Sequence, residues 1–169
     1  MPLFLKYSTN SLKTAEYTIS RPLRIGAILG GAKENHLEPL LRYGYHTGLA
    51  FQLKDDELGV ISPGNLRKTK NDILEGKQTF LILKALERSS NFNREFTESR
   101  LGNKKMEKDT LEHLIDELKE TGAIEENNKL MLKHLHAAKE IARNELSKIN
   151  SNTAEFLEKL AEYTVNRNR

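Results

Sequence analysis

The sequence has no cysteine and no tryptophan. The first absence removes disulfides, thiolate metal sites and cysteine nucleophiles at a stroke, and it fits a chain that works in a reducing compartment, so a cytoplasmic location is expected. Long hydrophobic runs are missing too. The longest small, apolar stretch, Ile25 to Ala32 (IGAILGGA), falls far short of the ~20 residues a membrane-spanning helix needs. The opening residues MPLFLKYSTNS lack the charged start, sustained apolar centre and cleavage site of a signal peptide. A surplus of one charge is also missing. With 27 basic and 24 acidic residues the net charge is +3, a mixture that does not predict a polyanion-binding surface, and no nucleic-acid partner is expected. Several catalytic fingerprints are absent as well. GAILGGA is not followed by the Gly-Lys-Ser/Thr of a phosphate-binding loop, no His-Glu-x-x-His spacing occurs, and neither a nucleophile elbow nor a dinucleotide fingerprint is found.

What remains is helical periodicity. At 169 residues and 37% apolar, the chain has enough material for one ordinary core, and a single domain is expected. Alternating strand patterns are scarce, so the predicted fold class is all-α. The clearest helix is DTLEHLIDELKETG, with Asp109 and Glu112 read as a capping box, Leu111, Leu114, Ile115 and Leu118 on one face, and Gly122 as the stop. A second helix is predicted from about Asn128 to Lys148, with Leu135, Ala138, Ala142 and Leu146 inward. A third should open at Asn152 and bury Phe156, Leu157, Leu160 and Ala161, so that the C-terminal third forms a small antiparallel bundle. Upstream, helices are expected near Leu12–Ser20, Pro22–Gly31, Glu38–Leu58 and Leu74–Arg88. Val60–Lys70, with Pro63-Gly64, reads as an exposed basic loop, and Asn91 to Lys108 as a connection or short surface helix.

Three features could carry chemistry. Asp55 and Asp56 stand together at the end of an apolar helical pattern, where the macrodipole disfavours acids. They read either as a solvated helix end or as oxygen donors for Mg²⁺, a hard ion that keeps much of its water. Lys13, Arg67, Lys68, Lys70 and Lys77 are either ordinary surface charges or, if packing gathers them opposite the aspartates, a phosphate site. Gly26, Gly30, Gly31, Gly44 and Gly48 lie in predicted helices, where each glycine costs ~1 kcal/mol relative to alanine. They imply close helix packing, or room for a slender apolar ligand. The histidines add little: His134 and His136 fall on different faces, and His36, His46 and His113 look isolated.

The order of these pieces is specific. SLKTAEYT, RPLRIGAILGGA, LLRYGYHTGLAFQLKDDELG and NDILEGKQTFLILKALE occur in sequence, and together they resemble the C-terminal half of the trans-isoprenyl diphosphate synthases, the farnesyl and geranylgeranyl diphosphate synthase (polyprenyl synthetase) family. The tail, GAIEENNKLMLKHLHAAKEIARNEL and FLEKLAEYTVNR, is similar to that family's closing helices. The resemblance covers essentially the whole chain. It implies an all-helical barrel around an apolar cavity, and a Mg²⁺-dependent prenyltransferase that joins isopentenyl diphosphate to an allylic diphosphate.

Carried onto this sequence, the resemblance implies that Asp55 is a direct Mg²⁺ ligand and that Asp56 acts through water or from the second shell. Lys13 and Lys77 would grip the allylic diphosphate, Arg67, with Lys68 beside it, would take the place of the family's usual Gly-Lys lysine, and Thr14 and Gln52 would orient polar oxygens toward the developing cation. Two departures stand out. Position 59 is Gly59 where the family often has a third aspartate, and no Asp-Asp-x-x-Asp occurs anywhere in the chain. In the family that first motif lies upstream of the Lys-Thr pair. The expectation is therefore a split synthase, inactive alone, completed by a separately encoded N-terminal half and assembled as a homo- or hetero-oligomer. The alternative is a non-catalytic modulatory subunit or the remnant of a truncated gene.

Overall fold

The computed structural model describes residues 15–61 and 72–167. Among these the secondary structure is all-α, as expected. A π-helical turn, Glu16–Ser20, runs into α1 (Arg21–Leu29), with Pro22 in the first turn, where its missing N–H costs nothing. The remaining helices are α2 (Glu34–Ile61), α3 (Asp72–Glu75), α4 (Phe80–Arg88), α5 (Asn91–Glu98), α6 (Lys108–Glu120), α7 (Ala123–Asn144) and α8 (Ser151–Asn166), with a short 3₁₀ turn at Leu146–Lys148. No described helix is long and apolar enough to cross a membrane.

The chain divides into two compact units. The first contains the described residues up to Lys54 together with Leu130–Arg167, and the second contains Asp55–Lys129. The core of the first joins Tyr43 of α2, Ala138, Ile141 and Ala142 of α7, and Ala154, Leu157 and Ala161 of α8. Tyr43 is fully buried, and its hydroxyl donates to the Leu157 carbonyl at 2.6 Å. Two of the predicted helical glycines are explained here by close packing. A Cβ on Gly44 would lie 2.7 Å from Ser20 Cα, and one on Gly48 would lie 2.6 Å from Ala15 Cα, so the segment before α1 lies directly on the α2 backbone. Gly26 differs, since a Cβ there would meet nothing within 4 Å.

The second unit is built on Val60, Ile73, Leu81, Ile82, Leu86, Leu111, Leu114, Ile115 and Leu118. The α6 face is buried as the periodicity predicts, but the helix starts earlier than expected. Glu107 occupies the cap, and Asp109 lies inside the first turn, where its charge still favours the positive helix end. The helix predicted over Leu74–Arg88 is two helices. Gly76 takes a left-handed φ of 66°, which ends α3, and the Thr79 hydroxyl accepts from Ile82 N–H at 3.4 Å to start α4. Helix α7 begins at Ala123, immediately after Gly122, rather than near Asn128. Helix α8 is capped by Asn150, whose side chain accepts from Thr153 N–H at 2.9 Å. Its inward face carries Ala154, Leu157, Ala161 and Val165, with Leu160 packed against the same core; of the predicted stripe only Phe156, 63% exposed, faces away.

Candidate functional site

Helix α2 carries the aspartate pair onto different sides, because successive residues of a helix project about 100° apart. Asp55 is half-buried. Asp56 is 2% exposed, and its Oδ2 accepts from the Phe80 backbone N–H at 3.1 Å, at the start of α4. Those first amides have no partner inside their own helix, and a negative charge is favoured there by the helix dipole. Asp56 is therefore committed to the end of α4, whereas Asp55 is held less tightly by burial.

Lys77 follows the turn at Gly76. Its ammonium donates to Asp72 Oδ1 at 2.7 Å and lies 3.0 Å from Glu75 Oε2, while the side chain stays 46% exposed. Asp72 is nearly buried, and burial pushes its carboxyl above the usual range. The Lys77 ammonium works against that shift, and the charges of Glu75 and Asp55 reinforce it. The same carboxylate raises the Lys77 pKa, so the ammonium stays charged. Asp55, Asp72 and Lys77 thus come together within the second unit, with Asp72 opening the same D-I-x-E-G-K run that carries Lys77. Gln52, one turn before Asp56 on α2, belongs to the first unit. The neighbouring Phe51 ring is covered by Arg167, whose guanidinium carbon is 3.8 Å from the ring centroid and whose Nη2 donates to the Phe51 carbonyl at 3.3 Å. Lys13, Thr14, Arg67 and Lys68 lie outside the described residues.

The donor set can be tested for Mg²⁺. Asp55 offers hard carboxylate oxygens, the type Mg²⁺ takes one or two of while keeping several waters. Asp56, with one oxygen on an amide, suits an outer position. Among the described residues no group of three or more acidic or imidazole side chains forms a closed metal cage.

The polyprenyl synthetase family profile matches residues 6–118. The chain belongs to that family. Among curated polyprenyl synthetase relatives, it is 34% identical over 137 residues to a short chain isoprenyl diphosphate synthase of Methanothermobacter thermautotrophicus, covering 80% of this chain and 42% of the relative. It is 30% identical over 147 residues to a geranylgeranyl diphosphate synthase of Saccharolobus solfataricus, covering 86% and 44% respectively. Among solved structures, the geranylgeranyl pyrophosphate synthase of Corynebacterium glutamicum, complexed with isoprenyl diphosphate and magnesium, superposes with a TM-score of 0.85 at 31% identity. That match covers 98% of this chain and 47% of the other. The chain thus spans a little under half the length of these relatives.

One feature of this polyprenyl synthetase chain escaped the sequence reading altogether. His46 is not isolated: its Nδ1 is 2.9 Å from Nδ1 of His134, within the first unit, and Tyr45 packs edge-on against both rings. Eighty-eight residues separate the two imidazoles, and no local spacing rule could have paired them.

Proposed function

We propose that this chain is the C-terminal part of a Mg²⁺-dependent trans-prenyltransferase of the isoprenyl diphosphate synthase type. In this reading it condenses isopentenyl diphosphate with an allylic diphosphate to give geranylgeranyl- or farnesyl-type diphosphates in the cytoplasm. The observation that carries the reading is the convergence of Asp55, Asp72 and Lys77 in a chain of this family. Lys77, charged and half exposed, binds the allylic diphosphate, and Lys13, Arg67 and Lys68 add positive charge from their own segments. Asp55, with Asp56 behind it, would hold Mg²⁺, which would supply electrostatic stabilisation of the departing diphosphate. The allylic C–O bond breaks with its electron pair leaving on the diphosphate, the isopentenyl double bond attacks the allylic carbon, and a proton is lost to restore a double bond. Thr14 and Gln52 are the residues this reading assigns to stabilising the positive charge on the allylic group.

The chain contains no Asp-Asp-x-x-Asp, and it spans under half of its relatives. In our reading a separately encoded N-terminal half supplies that motif together with the isopentenyl diphosphate contacts, and the two halves assemble as an oligomer. The exposed apolar residues of α1, Ile25, Ile28 and Leu29 at 58%, 52% and 83%, suit a helix that is covered by a partner. The test is Mg²⁺-dependent incorporation of labelled isopentenyl diphosphate into an allylic diphosphate, with this chain alone and with the candidate N-terminal half. Activity only in the mixture, lost with Asp55→Ala, supports the split synthase. Turnover by the chain alone removes the need for a second half, and no turnover from folded proteins leaves a modulatory or relic role.

A further inference from the structure

Helices α2 and α7 bring together two imidazoles that the proposed prenyl transfer does not use. His46 and His134 both lie in the first unit, and both are partly exposed. Their Nδ1 atoms face each other at 2.9 Å, with ring centroids 5.1 Å apart and the rings tilted by 37°. Two nitrogens bound to one metal ion at ~2.0–2.1 Å stand about 2.9 Å apart when they subtend a right angle and about 3.3 Å apart at a tetrahedral angle. The observed spacing is that of two neighbouring corners of a square. Burial lowers the pKa of both rings, so at neutral pH both are uncharged, the form that binds metals. Tyr45, 39% exposed, packs edge-on against both rings and limits their swing. The cations that act on the pair are Arg42 of α2 and Lys133 of α7. Arg42 is itself engaged by Glu38 at 3.1 Å and by Glu145, and Lys133 is exposed, where water and salt screen its charge.

We propose that His46 and His134 form a bidentate site for a divalent transition-metal ion of tetragonal preference, Cu²⁺ or Ni²⁺, whose remaining corners are filled by water. Such ions take imidazole nitrogens in square or tetragonal arrangements, and Cu²⁺ heads the affinity order for nitrogen sites. Mg²⁺ takes oxygen ligands, so this pair and Asp55 select different ions. In the metal-free pair one Nδ1 carries a proton that the other accepts. On binding, that proton moves to Nε2 of its own ring, and a small rotation of the two rings turns both Nδ1 lone pairs onto the metal. The ion then ties α2 to α7. This site stands whether or not the Mg²⁺-diphosphate reading holds.

The test uses the full chain, free of any histidine tag and stripped of metal, titrated calorimetrically at pH 7.5 with Ni²⁺, Cu²⁺ and, as a control, Mg²⁺. One tight site per chain is expected for Cu²⁺ and a weaker one for Ni²⁺, with no heat from Mg²⁺ at this pair. His46→Asn and His134→Asn should each weaken binding about 100-fold or more, because a single imidazole loses the effective concentration that its partner supplies. Changing both should add little, since either change alone already breaks the chelate. The remaining histidines supply the control. His136 and His113 pair with Glu140 and Glu117 on their own helices, and a variant with His36, His113 and His136 all changed to Asn keeps only the proposed ligands. That variant should bind Cu²⁺ as the wild type does and show hyperfine coupling to two nitrogens in its electron paramagnetic resonance spectrum. This measurement leaves the pair intact, so it does not depend on how His46→Asn or His134→Asn folds. Loss of binding in the triple variant, coupling to one nitrogen, or wild-type affinity in His46→Asn overturns the proposal and assigns the metal to surface histidines only.

Discussion

The His46–His134 pair should make stability fall as the solution is acidified, with a sign and size that follow from its geometry. The two Nδ1 atoms are 2.9 Å apart, so one ring donates its N–H and the other presents a lone pair, and charging both rings leaves no acceptor. Burial opposes the imidazolium form in both. For His134 it lowers the pKa from 6.5 to about 4, with His46 and Lys133 adding to the shift, and for His46 the direction is the same, with Arg42 and Lys133 behind the burial. Tyr45 completes the surroundings, and Glu145 and Glu38 pair with Arg42 without removing its influence. In the unfolded chain both rings titrate near 6.5, so between there and about pH 4 the unfolded state binds more protons. The contribution is therefore complete above pH 6.5 and is lost as pH falls toward 4. A shift of this size corresponds to about 3 kcal/mol unscreened, and partial solvent access reduces it to about 1–2 kcal/mol. Urea unfolding of the wild type and of His46→Asn/His134→Asn at pH 7.5, 6.5, 5.5 and 4.5 measures it, with the double variant correcting for carboxylates that titrate in both proteins. The wild type should lose about 1–2 kcal/mol more than the variant across the series. Parallel curves, or a wild type that gains stability on acidification, would refute the argument.

Tyr43→Phe removes a buried hydroxyl that donates at 2.6 Å and whose pKa burial pushes up to about 12. It should cost about 0.5–1.5 kcal/mol, read as a drop of a few degrees in melting temperature. Gly48→Ala drives a methyl into the Ala15 backbone, which cannot swing aside as a side-chain tip can, and should cost about 1–3 kcal/mol by chemical denaturation. Asp55→Asn should leave stability within about 0.5 kcal/mol while abolishing the proposed prenyl transfer. Asp56→Ala, which strips an acceptor from the start of α4, should lower stability by about 1.5–3 kcal/mol with no ligand present.

The helical class and most helix faces were legible because burial repeats every three to four residues. Leu111, Leu114, Ile115 and Leu118 announce their face in any order of reading. Caps were less legible, since several polar residues near a helix start can each serve. Asn150 rather than Asn152 takes the role in α8. At the site, Asp55, Asp56 and Lys77 stand out as charged residues in recognisable runs. Asp72 opens the run that carries Lys77, but its close packing against Gly59 depends on a fold that brings the two positions together. Arg167 over Phe51 and the histidine pair were hidden for the same reason. Each joins positions too far apart in sequence for any periodicity to connect.

The two adjacent aspartates also explain why a helical motif should carry acids at consecutive positions when they cannot form a pincer. Rotation along α2 points one into the site and the other into the protein. Asp56, buried against Phe80 N–H, satisfies a donor that α4 cannot satisfy itself, and Thr79 satisfies another two residues later. Phe80 lies only three residues beyond Lys77, and Lys77 is tied back to Asp72. Anchoring the first amide of α4 to α2 therefore fixes the short segment that carries the ammonium relative to the helix that carries Asp55. On this view the second aspartate holds the frame in which the first one acts, so its loss would lower function mainly by releasing Lys77. The same frame packs Gly59 closely, because α2 lies against both the start of α4 and the Asp72 carboxylate within little more than one turn.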